Sequence, residues 1–335
     1  MRWIIHIGAP KTGSTAIQRF LFENRAMLIE HGILYPEVSI RGFGHHDLAF
    51  LLHGQYAKWA TPQDRSLTDL RDILRGIVLP SAATTILLSS ENFYVYPKPS
   101  ALRSLLVEAG LHSSDEIVIV CYVRRQDDAH VSWYNQSVKA QGNTSSLNTT
   151  IIREHGLWDY ATRLQPWADE FGINSILVRD YTPFSQRTAD IRDDFLAILG
   201  ADRDRFHLPA GRENERVNRD ILAFQRWVNH LPLSAKKKRR YHKQLIELTA
   251  ASEGAQFFDD TPLLSLAARE TLLASYAASN AVLAKMYLKQ ETIFDPLEEK
   301  DIAAGTALSG LTIRKIFRIL AWIAGFRNSF QTIPR

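Results

Sequence analysis

The chain has 335 residues, 45% hydrophobic and 10% aromatic, enough to bury a full core, and it reads as one large α/β domain. Its single cysteine, Cys121, lies inside an apolar run; it excludes an intramolecular disulfide and any cysteine-based metal cluster, and fits a reducing compartment. A net charge of +4 suits an anionic ligand but is too weak a bias for nucleic acid, and no run reaches the roughly 18 apolar residues of a spanning helix.

The first predicted strand is Trp3-Ile4-Ile5-His6-Ile7. A strand that begins so early leaves no space for a secretory signal, so a cytoplasmic chain is expected. Next comes Gly8-Ala9-Pro10-Lys11-Thr12-Gly13-Ser14-Thr15, and then an amphipathic helix. In that helix Ile17, Phe20, Leu21, Asn24 and Leu28 keep close to the helical period, and Gly32 closes it. A glycine-bounded loop between strand and helix points backbone N–H groups at one spot, where the helix N-terminus attracts a phosphate or sulfate. Its lysine lies two residues before the second glycine. In G-x-x-x-x-G-K-[ST] the lysine follows that glycine, so the spacing departs from a nucleoside triphosphatase.

Further strands are expected at Ile86-Leu87-Leu88, at Ile117 through Val123 and at Ser175 through Val178. Their apolarity is continuous rather than alternating, which predicts strands covered on both faces, hence a mostly parallel central sheet flanked by helices. In such sheets ligands collect beyond the C-terminal strand ends. Those ends carry the Lys11 loop, Ser89-Ser90-Glu91-Asn92, Arg124-Arg125 and Arg179-Asp180-Tyr181. After the third of these strands a helix opening at Asp127 or Asp128 places Ser132 about one turn along it, where Arg124 and Ser132 converge on one anion. An arginine at a strand end serves equally as a structural ion-pair partner.

From about residue 188 the chain reads as helical, over 189–199, 216–230 and 263–290. The domain is expected to span 1–300, with an anion-binding core over about 1–185 and a mostly helical part over about 186–300. Lys236 to Arg240 is the densest positive patch and reads as a solvated helix start or loop. The C-terminal segment 301–335 is amphipathic and basic. Over 311–326 it interleaves Arg314, Lys315 and Arg318 with Ile313, Ile316, Phe317, Ile319, Leu320, Trp322 and Ile323. That profile belongs to a helix lying on the inner face of a membrane, and equally to one docked on its own domain or on a second subunit.

The loop and the Arg124 block together resemble the sulfotransferases that use 3′-phosphoadenosine-5′-phosphosulfate, PAPS, over roughly residues 3–181, most of all the bacterial carbohydrate-directed branch. Pro10-Lys11-Thr12-Gly13-Ser14-Thr15 matches that family's P-K-[ST]-G-[ST]-[ST] loop for the 5′-phosphosulfate. Arg124 and Ser132, eight residues apart, match its 3′-phosphate pair. The resemblance implies a P-loop NTPase-like sulfotransferase fold and sulfuryl transfer from PAPS to a hydroxyl of a carbohydrate or glycolipid, giving 3′,5′-bisphosphoadenosine with no metal required. It gives the donor to Pro10, Lys11, the hydroxyls of Thr12, Ser14 and Thr15, and Gly13. Arg124 and Ser132 take the 3′-phosphate, and Arg212 and Asn214 lie where relatives carry a loop over the nucleotide. The cytosolic-type R-K-G triplet is absent from that loop. Lys11 follows charge developing on the bridging oxygen, and Glu91 is the preferred base, with His45 or His46 as the alternative. Glu91 also reads as a helix cap. Trp59, Tyr94, Tyr96 and Trp158 either stack on sugar rings or fill core. Two other classes share the strand, loop and helix: a P-loop kinase or nucleoside triphosphatase acting on a small molecule, and a nucleotide-binding protein without catalysis.

Overall fold

A computed structural model describes residues 1–57, 59–186, 188–208, 217–252, 257–259, 261–297 and 310–326. Its architecture is α/β. The strands are β1 (Arg2–Gly8), β2 (Ile33–Leu34), β3 (Thr85–Ser89), β4 (Glu116–Val123) and β5 (Ile176–Asp180). They form one sheet in the order β2-β3-β1-β4-β5, with every pair parallel. The continuous apolar runs carry this result: Trp3, Ile4, Ile5 and Ile7 of β1 and Ile119 through Val123 of β4 are fully buried. Cys121 is core.

The order of the strands places the site. From β1 the chain first goes to the edge strand β2 and returns to β3 beside β1, and then crosses to β4 and β5 on the other side. That reversal beside β1 is where open parallel sheets gather ligands. Arg2 through His6 pair in register with Glu116 through Val120, and an irregularity then shifts Gly8 onto Cys121. The strand thereby leaves the ladder just where the glycine loop begins. Because all strands run the same way, Gly8, Ser89, Val123 and Asp180 end on one edge.

The expected helix after the loop is broken. It runs as Ser14–Glu23 and Arg25–Glu30. The break falls at Asn24, whose amide donates to the carbonyls of Phe20 (2.9 Å) and His207 (2.8 Å) and accepts from the His207 N–H (2.9 Å). A tertiary bond across 183 positions thus competes with the helical one. Gly32, at φ +73°, still follows the second piece. The stretch 263–290 is likewise divided, into Leu266–Ser275, Ala277–Leu283 and a short π-helical turn at Ala284–Leu288.

The chain forms two compact units. The first comprises Met1–Gln126, Gly156–Glu213 and Ser275–Asp295, and holds the sheet. One of its hydrophobic clusters gathers Ile4, Ile17, Phe20, Leu21, Leu87, Val120, Tyr122 and Phe195. The second comprises Asp127–His155, Asn214–Ala274 and Pro296–Arg335. Among its described residues the regular elements are helices, around a core that includes Tyr134, Val138, Ile221, Leu245, Leu248, Ile319 and Trp322. Asp127 is buried there and takes the Arg269 guanidinium, which also reaches Asp128. The basic run from Lys236 opens the helix Ala235–Ala251, capped by the Ser234 hydroxyl.

Candidate functional site

The loop after β1 is built by close approach. Gly8 has φ +106°, and a Cβ there would stand 3.0 Å from the Cβ of Glu91. Gly13 has φ +75°, and a Cβ there would meet Ile191 at 3.0 Å and the ring of Tyr181 at 3.1 Å. Both positions need glycine for conformation and for space. The Ala9 N–H donates to the Tyr122 carbonyl (2.7 Å), which ties the loop to the end of β4. Thr12 is fully buried, and its hydroxyl donates to the Ala9 carbonyl (2.6 Å), so that proton shapes the loop. Ala16 and Ile17 already donate to the Gly13 carbonyl. The amides of Gly13, Ser14 and Thr15 therefore precede the first intrahelical bond and form the positive end of the helix. Pro10 and Ser14 are buried in the loop, while Lys11 and Thr15 are half-buried.

Arg124 reaches this loop from the end of β4. Its Nη1 donates to the Lys11 carbonyl (3.3 Å), and its guanidinium lies 5.6 Å over the ring of Tyr181, the ring that packs on Gly13. The Tyr160 hydroxyl fixes the backbone at this point, accepting from the Arg124 N–H (3.1 Å) and donating to its carbonyl (2.6 Å). The Arg124 Nε is buried without a hydrogen-bond partner. A guanidinium with an unsatisfied buried donor, beside a lysine loop and a helix N-terminus, fits an anionic group. Ser132 is half-buried on the helix Gln126–Ala140 and belongs to the second unit. Arg212 and Asn214 lie outside the described residues.

Glu91 stands on the other flank, just past β3. Gln18, on the buried side of the helix Ser14–Glu23, donates to its Oε2 (2.8 Å), and His46 Nδ1 is 3.9 Å from the same oxygen. Burial pushes the Glu91 carboxyl up, but His46, the Gln18 bond, its own backbone amide and His6 outweigh burial and hold it below the usual carboxylate range. His46 Nδ1 also meets the Ser90 hydroxyl (2.8 Å) and the Asn92 amide (3.0 Å). His6 lies fully buried in β1 with Nδ1 on the Ser89 hydroxyl (2.8 Å); burial drives it down to about 4, against the pull of Glu91.

The neighbouring histidines differ. His45 is fully buried; its Nδ1 accepts from the Ser89 N–H (3.1 Å) and its Nε2 meets the Pro36 carbonyl (2.9 Å). Both ring nitrogens serve the backbone, and burial lowers the group to about 4. His45 is a structural pin. Gln18 escaped the reading of the sequence, although a polar residue between Ile17 and Phe20 on a buried face was the available signal. Arg179 pairs with Asp194, which also accepts from the Tyr122 hydroxyl (2.6 Å). Of the aromatics, Tyr94 and Trp158 fill core, whereas Trp59 is 55% exposed. Trp59 packs on Phe50, which also touches Tyr96, and Tyr96 stacks on His53.

No protein-family model matches the chain. It is 29% identical over 188 residues to an uncharacterized protein of Archaeoglobus fulgidus, covering 54% of this chain and 49% of that one, so it spans about half the length of this relative. Among solved structures it is similar to a sulfotransferase from Alicyclobacillus acidocaldarius, with 17% identity and a TM-score of 0.42, covering 63% of this chain and 85% of the other. A likeness at that level transfers neither fold nor function.

Proposed function

We propose that this chain is a sulfotransferase that moves a sulfuryl group from PAPS to a hydroxyl of a carbohydrate or glycolipid acceptor. The observation that carries the reading is the composition of one edge of the sheet. Lys11, the loop amides and the partly unsatisfied Arg124 supply positive charge at the loop that follows Gly8, and the Cα and Cβ of Glu91 lie against Gly8 itself, so its carboxylate, held by Gln18, belongs to the same strand edge. Such a site takes a polyanionic donor and a neutral hydroxyl together.

PAPS, when bound, supplies an activated sulfuryl group and a bisphosphate leaving group. The amides of residues 12–15 and the hydroxyls of Ser14 and Thr15 hold the 5′ end. Lys11 offsets charge on the departing oxygen, as a flexible point charge suits. Arg124 takes the 3′-phosphate, and Ser132 joins it on the strength of sequence spacing alone. Glu91, ionised at neutral pH, accepts the proton of the acceptor hydroxyl, and Gln18 keeps its carboxylate oriented. His46 is the second group within reach of that proton.

The choice of a carbohydrate acceptor is supported by the aromatics. Glu91 and His46 lie where two short helices begin, Asn92–Val95 and His46–His53; Tyr96 and His53 lie where they end. Eight residues of helix span about 12 Å. An exposed Trp59 near the far end offers a face for a sugar ring while the base works at the near end.

Calorimetry with 3′,5′-bisphosphoadenosine tests the donor assignment. Micromolar or tighter binding without magnesium is expected. Magnesium-dependent binding of ATP with none of the bisphosphate would replace this reading with a kinase or triphosphatase.

A further inference from the structure

The C-terminal helix Ile313–Ile323 has two apolar faces, and only one is used by the fold. Ile319 is fully buried and Trp322 nearly so, with the Trp322 indole N–H donating to the Gln244 carbonyl (3.0 Å). Lys315 on the same face forms a buried ion pair with Asp220 (2.6 Å). At about 100° per residue, Lys315, Ile319 and Trp322 fall on one side of the helix. Ile313, Phe317, Leu320 and Ala324 fall on the other, within an arc of about 60°. That outer row is exposed, Ile313 by 73% and Phe317 by 68%. The inner contacts hold the helix in place, so the outer face stays presented to its surroundings.

The charges beside this row have one sign. Residues 311–326 contain no aspartate or glutamate. Arg314 is exposed at one flank. Gln244 meets Trp322, while the Thr249 hydroxyl accepts from the Asn218 N–H, two residues from the Asp220 that pairs with Lys315, so the helix Ala235–Ala251 runs antiparallel to this one. Its basic first turns, with Lys237 and Arg240 exposed, therefore point toward the end at which Phe326 is exposed. An apolar row with cations at both ends complements a surface of anionic headgroups over hydrocarbon. A row that met only water would expose these side chains with no compensation.

We propose that the outer face of the helix Ile313–Ile323 docks the protein on an anionic lipid bilayer, with Ile313, Phe317 and Leu320 entering the acyl boundary and Arg314, Lys237 and Arg240 meeting the headgroups. No helix among the described residues is long and apolar enough to cross a membrane, so this is contact in the plane of the interface. The proposal is independent of the sulfuryl-transfer reading.

Co-sedimentation of the full chain with vesicles tests it. Vesicles of phosphatidylcholine with phosphatidylglycerol are expected to pellet the protein, and phosphatidylcholine alone far less. The double change Ile313→Ser with Phe317→Ser removes only exposed side chains and should leave the melting temperature unchanged while weakening vesicle binding about tenfold or more. Leu320→Ser is an independent substitution should the double change alter melting. Arg314→Glu should weaken binding to the anionic vesicles. The proposal is overturned by failure to pellet with anionic vesicles, or by unchanged pelleting of the well-folded serine variants. A concentration-dependent dimer that the serine changes dissolve, without vesicle binding, would likewise overturn it and give the face to a second copy of the chain.

Discussion

Two arginines at neighbouring strand ends face opposite fates. Arg179, on β5, is tied through two of its nitrogens to Asp194, a carboxylate that Tyr122 also holds. Arg124, after β4, meets one backbone carbonyl and an aromatic face, and keeps a buried Nε without a hydrogen-bond partner. The first guanidinium is held by a carboxylate of the fold through two of its nitrogens. The second is placed by the fold but is not satisfied by it, and that difference separates a binding arginine from a structural one better than position along a strand does.

The same contrast orders the expected effects of substitution. The largest falls on the groups that act on the reaction rather than on the fold. Glu91→Gln should lower kcat by about a thousandfold, in the range a positioned base contributes, with bisphosphoadenosine affinity unchanged. An equal fall in affinity would make Glu91 part of the donor site instead, and an unchanged kcat would pass the role of base to His46. Next come the two arginines. Arg124→Ala should weaken 3′,5′-bisphosphoadenosine about a hundredfold while sparing adenosine 5′-phosphate, which lacks the 3′ group, and should leave the melting temperature alone. Arg179→Ala should do the reverse, costing about 1–3 kcal/mol of stability with nucleotide affinity intact. If the two variants behave alike in both measurements, the contrast between them is not a contrast of function.

Much of the fold was legible in the sequence because its cause is local. Continuous apolar runs such as Ile117 through Val123 announce strands covered on both faces, and β1, β3, β4 and β5 appear where those runs lie. β2 did not announce itself, since two residues, Ile33 and Leu34, carry too little pattern. The break at Asn24 was hidden as well, because its cause is the backbone of His207 far along the chain. Within the site, the glycine loop could be read from its spacing, whereas the reason for Gly8 could not: it is the contact with Glu91, across the sheet. The adjacent histidines show the limit most plainly. Nothing local separates His45 from His46, yet one is bound by backbone groups on both ring nitrogens and the other faces Glu91. Arg179 is the same case, its partner Asp194 lying on another element.

Transfer of labelled sulfate from PAPS to a panel of oligosaccharide acceptors, by the parent chain and by Lys11→Ala, tests the central claim most directly. The account predicts labelled product with the parent and a loss of about a hundredfold or more in the variant, at an unchanged melting temperature. Turnover by Lys11→Ala at the parent rate, or no transfer by the parent to any hydroxyl while it binds the bisphosphate, would contradict it.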